Sequence, residues 1–215
     1  MKVEVRSLCK EIKRVPVLEN VDMTLESGVV YGLQGKNGSG KTMLLRALAG
    51  LIRPTSGSVV VDGEQLGRDR SFPESVGLLI ENPSFIDKYT GRKNLRLIAG
   101  VKSRIGDAEV DRALGRVGLD PSDRRHFKKY SLGMKQRLGI ACAVMEHPDL
   151  ILLDEPVNAL DPTGVSCVER IIEEERSRGA IVVVACHDRE ELVLLADVVF
   201  TMAEGRIVDS EVVRK

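Results

Sequence analysis

One short segment constrains this chain more than any other: Gly35-Lys36-Asn37-Gly38-Ser39-Gly40-Lys41-Thr42, which fits G-x-x-x-x-G-K-[ST]. It follows a continuous apolar run, Val29-Val30-Tyr31-Gly32-Leu33, of the kind expected for a strand buried on both faces. It precedes a stretch with Leu44, Leu45 and Leu48 on one side, so the loop sits between strand and helix. Glycines let backbone N–H groups converge on phosphate oxygens, and the helix N-terminus adds positive partial charge. Lys41 has the reach for β- and γ-phosphates, and Thr42 offers a hydroxyl to Mg²⁺. The expected nucleotide contacts are therefore Gly35, Asn37, Gly38, Ser39, Gly40, Lys41, Thr42 and Met43, with Lys41 also serving catalysis. The pattern implies a bound nucleoside triphosphate, without choosing between kinases, GTPases, helicases and transport ATPases.

The surrounding pattern sets the architecture. Residues 2–8 and 20–26 alternate apolar and polar (Val3, Val5; Val21, Met23, Leu25), predicting half-exposed antiparallel strands. Val59-Val60-Val61 and residues 76–80 read as further strands. From Pro83 to Pro148 strand-like runs vanish, and helical spacing appears in Val110, Ala113, Leu114 and Val117 and again over 138–145. Leu150-Ile151-Leu152-Leu153 and Ile181-Val182-Val183-Val184 are buried strands on either side of a helix near 164–178. A helix near 189–196 then leads to strands at 198–200 and 205–208. Strands alternating with helices predict an α/β fold of the P-loop NTPase type. It would have a mostly parallel core sheet, an N-terminal antiparallel β layer and a helical insertion at about 83–148, all in a single domain over 1–215.

Two acids follow the Leu150–Leu153 strand. Asp154-Glu155-Pro156 emerges at a strand's carboxyl end, where open parallel sheets hold ligands. Mg²⁺ is hard and prefers oxygen, so Asp154 suits it, directly or through water. Glu155, one residue on, can polarise a water for in-line attack; a positioned base typically contributes about 10² to 10⁴ in rate. His187 follows the next strand at the same edge, where it could hold the attacking water or Glu155. A histidine at a strand end is more often structural, so its case rests on position.

Composition removes some alternatives. Acidic and basic residues number 32 each, so no basic field invites nucleic acid. No apolar stretch approaches the ~20 residues that cross a bilayer as a helix. The N-terminus, Met1-Lys2-Val3-Glu4-Val5-Arg6, lacks a signal-peptide core. Cys9, Cys142, Cys167 and Cys186 lie far apart, as expected of small buried residues in a reducing cytosol.

Tyr130-Ser131-Leu132-Gly133-Met134-Lys135-Gln136-Arg137 resembles the signature segment of ATP-binding cassette (ABC) proteins, usually L-S-G-G-Q followed by K-Q-R. With Leu152-Leu153-Asp154-Glu155-Pro156 and Asn158-Ala159-Leu160-Asp161-Pro162 downstream, the motif order looks like that family over nearly the whole chain. The resemblance implies two such domains pairing head to tail, as homo- or heterodimer, with ATP and Mg²⁺ sandwiched between the phosphate loop of one and the signature of the other. Ser131 and Gly133, at a helix start, would then donate to the γ-phosphate held by the opposite subunit. Asp161 would lie across the dimer seam.

The sequence departs from that pattern in three places. Leu132 and Met134 replace a glycine and a glutamine of the signature. Glu81 stands where the family has the Gln of its lid-linking loop; its carboxylate can still meet Mg²⁺ or its water, at the cost of added charge near ATP. The adenine-stacking aromatic aligns best with Ile12, so aliphatic packing should replace stacking there. Leu79-Ile80-Glu81-Asn82-Pro83-Ser84-Phe85 and the signature helix look like the bacitracin-type branch, associated with drug and peptide export or immunity. That resemblance implies an ATP hydrolase powering an exporter, cytoplasmic and held at the inner face of the membrane by a separate permease subunit, with no nucleic-acid partner. Phe85, Ile86 and Tyr89 read either as a groove for that permease or as helical core. Arg124-Arg125-His126-Phe127-Lys128-Lys129 reads as a solvated face, with an anionic membrane surface as the sharper alternative. A soluble cassette acting on DNA or ribosomes would need long coiled-coil insertions or two tandem cassettes, and neither is present.

Overall fold

Apolar runs become strands where both faces can be covered, and alternating runs where only one is. In the computed structural model, which describes residues 1–213, the order is β1 (Lys2–Ile12), β2 (Val15–Glu26), β3 (Val30–Gln34), α1 (Lys41–Leu48), β4 (Ser56–Val61), β5 (Glu64–Gln65) and β6 (Val76–Leu79). Then come α2 (Gly91–Lys102), α3 (Asp107–Arg116), a 3₁₀ turn (Phe127–Lys129), α4 (Leu132–Val144), β7 (Leu150–Asp154), α5 (Pro162–Ser177), β8 (Ile181–Cys186), α6 (Arg189–Leu195), β9 (Val198–Ala203) and β10 (Arg206–Val212).

Two sheets form. One is antiparallel, in the order β2-β1-β4-β5; Val3 faces Leu25 on one side and Val61 on the other. The other runs β10-β9-β3-β8-β7-β6 and is parallel except at the β10–β9 edge. The alternating 2–8 and 20–26 segments extend into a longer hairpin than their patterning showed, closed by Lys13 and Arg14 at φ 51° and 66°.

The parallel sheet separates two cores. Leu150, Leu152, Ile181 and Val183 face α1 and the antiparallel sheet, joining Leu44, Leu45, Leu48, Val3 and Leu25. Their neighbours Ile151, Leu153, Val182 and Val184 face the other way, joining Leu95, Val110, Leu114, Leu138 and Ile140 of the helices between β6 and β7. Period-two alternation thus lets one strand serve two cores. Truncating such a residue to Ala typically costs about 2–5 kcal/mol.

Polar ties fasten the helices after β6 to the rest. Arg116 of α3 lies 2.8 Å from both Glu174 and Glu175 of α5, and Glu175 is buried. Phe85 packs edge-on against Phe127 at 5.3 Å, which makes it half core, whereas Ile86 is exposed. Phe127 is buried while its neighbours Lys128 and Lys129 face solvent, so the basic run is a solvated turn around one apolar anchor. No helix of the described residues is long and apolar enough to cross a membrane.

Candidate active site

β3, β8, β7 and β6 lie side by side and parallel, so their carboxyl ends share one sheet edge. The glycine loop leaves β3 there, His187 follows β8, Asp154-Glu155 closes β7, and Glu81 comes just after β6. The edge opens on a cleft of about 970 Å³. Residues 37–43, Glu81, Asp154 and Glu155 line it, with Val15, Pro16 and Val17 on one wall and Leu132, Gln136, Asn158 and Ala159 on another.

The loop's shape depends on small residues. Gly40 sits at φ 104°, and a Cβ there would lie 2.9 Å from the Val17 carbonyl oxygen. A Cβ on Gly35 would come 2.5 Å from Ser39 Oγ and from Met202 O. α1 begins with no side-chain cap and no acid in its first turn. Every other α-helix of the described residues has one or the other: Thr90, Ser131, Asp161 and Asp188 cap α2, α4, α5 and α6, and Asp107 and Glu109 open α3. Uncapped N–H groups plus the helix dipole make the α1 start an anion site. Ser39 Oγ, buried in this loop, has no hydrogen-bond partner, an expensive state that a phosphate oxygen would relieve. Lys41 is buried, and its Nζ donates to Gly35 O at 2.5 Å and Lys36 O at 3.3 Å, which aims the ammonium into the loop.

Thr42 Oγ1 donates to Asp154 Oδ2 at 2.6 Å. Burial pushes the Asp154 carboxyl above its ordinary range, and the Thr42 bond only partly opposes this. A buried carboxylate beside a hydroxyl, with a second carboxylate nearby, is an all-oxygen donor set of the kind Mg²⁺ takes. The residues therefore fit that ion.

Glu155 takes a left-handed backbone at φ 47°, fixed by its N–H donating to Ala185 O at 2.8 Å. Glu81 and Ala159, also on the cleft wall, are left-handed too, at 58° and 62°. Such non-glycine conformations cost of order 1–3 kcal/mol each and persist where the surroundings enforce them. His187 Nδ1 lies 2.9 and 3.1 Å from the two Glu155 carboxylate oxygens.

The structure brings together Lys41, Thr42, Asp154, Glu155 and Glu81, with His187 against Glu155. Five expected residues do not line the cleft: Gly35, His187, Ile12, Ser131 and Gly133. Ile12 ends β1, 43% exposed, and Val15, Pro16 and Val17, beyond the hairpin turn, occupy the wall instead. Ser131 caps α4, its Oγ accepting from Met134 N at 3.2 Å, and Gly133 packs toward Ala159 O, leaving only Leu132 and Gln136 of the segment on the wall. Asp161 caps α5 and accepts from Arg137 at 2.5 Å within its own chain.

Two participants escaped sequence reasoning. Gln136 Nε2 donates to Glu155 O at 2.9 Å and Pro156 O at 3.2 Å, tying α4 to the carboxylate turn. Arg46 meets Glu81 Oε1 at 2.5 Å, which offsets the charge that Glu81 adds. Its position one helical turn after Thr42 was the available signal.

Comparison with known proteins agrees with this geometry. The family model described as ABC transporter matches residues 18–158, more than half of the chain. The chain is 47% identical over 209 residues to the uncharacterized ABC transporter ATP-binding protein YybJ of Bacillus subtilis (strain 168), covering 97% of this chain and 96% of YybJ. It is 36% identical over 209 residues to the bacitracin transport ATP-binding protein BcrA of Enterococcus faecalis, covering 96% of this chain and 68% of BcrA. A dimeric ATP-binding cassette solved in a post-hydrolysis state with ADP and Pi matches with a TM-score of 0.88 over 99% of both chains, at 22% identity, a likeness of fold. On this sequence match and this phosphate-loop architecture, the chain belongs to the ABC transporter family, as an ATP-binding domain.

Proposed function

We propose that this domain hydrolyses ATP to power a transporter whose membrane-spanning part is a separate subunit, with drugs or peptides exported. One observation carries the reading: an uncapped, acid-free helix start with Lys41 beside it faces the Thr42–Asp154 pair, and Glu155 with His187 stands next in line. The loop N–H groups and Lys41 would bind the triphosphate. Val15 to Val17 would offer adenine an aliphatic wall in place of a stacking ring. Thr42 and Asp154 would hold Mg²⁺, with Glu81 near enough to reach its water; when bound, the ion neutralises phosphate charge. Glu155 would accept the proton of the attacking water, and His187 would keep that carboxylate turned toward it.

Ser131 and Gly133 point to a second copy or a related subunit. Lying off their own chain's cleft wall, they would complete the site of a partner docked head to tail, and hydrolysis would reopen the pair. The helices over about 83–148 would form the subdomain that meets the membrane subunit. Leu97, Ile98 and Val101 of α2 are exposed apolar residues at helical spacing, and exposed apolar patches mark interaction sites. Attachment through that surface would place the chain at the cytoplasmic face of the membrane. The relative BcrA, named for bacitracin transport, supports the export reading.

Glu155→Gln tests the scheme. Turnover should fall by about 10² to 10⁴ while ATP affinity holds, and gel filtration with ATP should show a stable dimer. A variant that binds ATP normally yet stays monomeric would sink the paired mechanism.

A further inference from the structure

β8 ends in an adjacent Cys186-His187 pair, and Glu155 at the end of β7 stands against it. One potential ligand atom from each of Glu155, Cys186 and His187 lies within 4.8 Å of the other two. Among the described residues this is the one such group of three. The scheme above uses Glu155 and His187 but gives Cys186 no task. We propose that Glu155, Cys186 and His187 form a binding site for a borderline-soft divalent cation of the zinc type, separate from Thr42 and Asp154, and that filling it stops hydrolysis.

The donor set selects the ion. Carboxylate oxygen, imidazole nitrogen and thiolate sulfur together are a zinc set, whereas Mg²⁺ prefers oxygen in octahedral geometry. The Glu155–His187 separations are close to those required, and the Cys186 sulfur lies within 4.8 Å of both. With arms of about 2.0–2.1 Å, tetrahedral zinc needs its oxygen and nitrogen ligands about 3.3 Å apart. Glu155 and His187 Nδ1 already stand 2.9 and 3.1 Å apart. With a sulfur arm of about 2.3 Å, sulfur needs about 3.6 Å to an oxygen or nitrogen ligand. Glu191 Oε2 accepts from Cys186 Sγ at 3.4 Å, so it can take the thiol proton that binding displaces. Cys186 is buried, so a cation must displace its thiol proton to bind the sulfur.

The inhibitory consequence rests on the proposed role of Glu155; the binding does not. A metal-bound Glu155 cannot accept a proton from water, and His187 cannot orient it. The cation would therefore lower turnover without competing for the phosphate loop.

Cobalt titration of the nucleotide-free protein tests the site. At about one equivalent, Co²⁺ should give a thiolate-to-metal charge-transfer band. Cys186→Ala should lose that band and weaken Zn²⁺ affinity, read by competition with a chromophoric chelator, by at least about 10-fold. The variant should keep wild-type turnover with Mg-ATP, and the Zn²⁺ concentration that halves turnover should rise by a similar factor. Should the alanine variant misfold, Cys186→Ser, equal in size and a poor zinc ligand, carries the same expectations. An unchanged cobalt band in a folded variant, or equal zinc inhibition of both proteins, would overturn the proposal. A chain that binds cobalt through Cys186 yet hydrolyses no ATP would support the site and remove the ATPase reading instead.

Discussion

Two helix starts in this molecule, α1 and α4, are built in opposite ways. α1 opens at Gly40 with no capping side chain and no acid in its first turn, and the Ser39 hydroxyl beside it is buried without a partner. α4 opens at Ser131, whose own hydroxyl accepts from Met134 N. Both ends carry the same dipole, yet α4 caps one of its donors with a side chain and α1 caps none. A site that must capture an anion unaided is kept clear of internal acceptors. A site proposed to finish another subunit's cleft holds one donor, Met134 N, to its own cap.

Removing the charge beside α1 should have the largest effect. Lys41→Ala should weaken ATP binding by at least about 100-fold, the loss of charge-assisted bonds to phosphate, in a fluorescent-nucleotide titration. Affinity held within a few-fold would mean that the helix start suffices alone. At the other helix, Ser131→Ala should cost about 1 kcal/mol of stability through the lost cap. In the Glu155→Gln background it should also weaken ATP-driven dimerisation by about 10-fold, measured by analytical ultracentrifugation, with monomer ATP affinity unchanged. A drop in monomer affinity would erase the contrast between the two ends.

Asp154 sharpens the picture of the α1 side. Its carboxyl titrates higher folded than unfolded, so the native state holds the proton longer as pH rises. Stability is therefore lost as pH climbs from the unfolded value through the raised one. Asp154→Asn should raise the Tm of nucleotide-free protein at pH 7, by about 2–4 °C for each kcal/mol of desolvation relieved. The gap should narrow toward the ordinary carboxylate range. A gap independent of pH would assign the effect to packing. The smallest change is expected at the exposed Glu81–Arg46 pair: Glu81→Gln should shift urea-measured stability by under about 0.5 kcal/mol.

What the sequence revealed followed the range of the interactions. The glycine loop, the buried strands and the acids after β7 are local patterns, because the backbone that shapes them is contiguous. Which residues of the first hairpin reach the cleft was not legible, because that depends on where the hairpin turns, and Lys13 and Arg14 adopt left-handed backbone without a glycine to announce it. The Arg46–Glu81 pair spans 35 positions and exists only once β6 lies near α1. The antiparallel β10 edge was equally hidden, since a short alternating strand carries no sign of its partner's direction.

Gln136 has a mechanical consequence. Its amide grips the backbone of Glu155 and Pro156 from the middle of α4. Any tilt of that helix must either drag the turn along or snap two bonds worth roughly 1 kcal/mol each. The joint behaves as a slipping clutch: gentle torque from the α4 side is relayed to the reacting edge, while a harder push disengages and leaves the edge at rest.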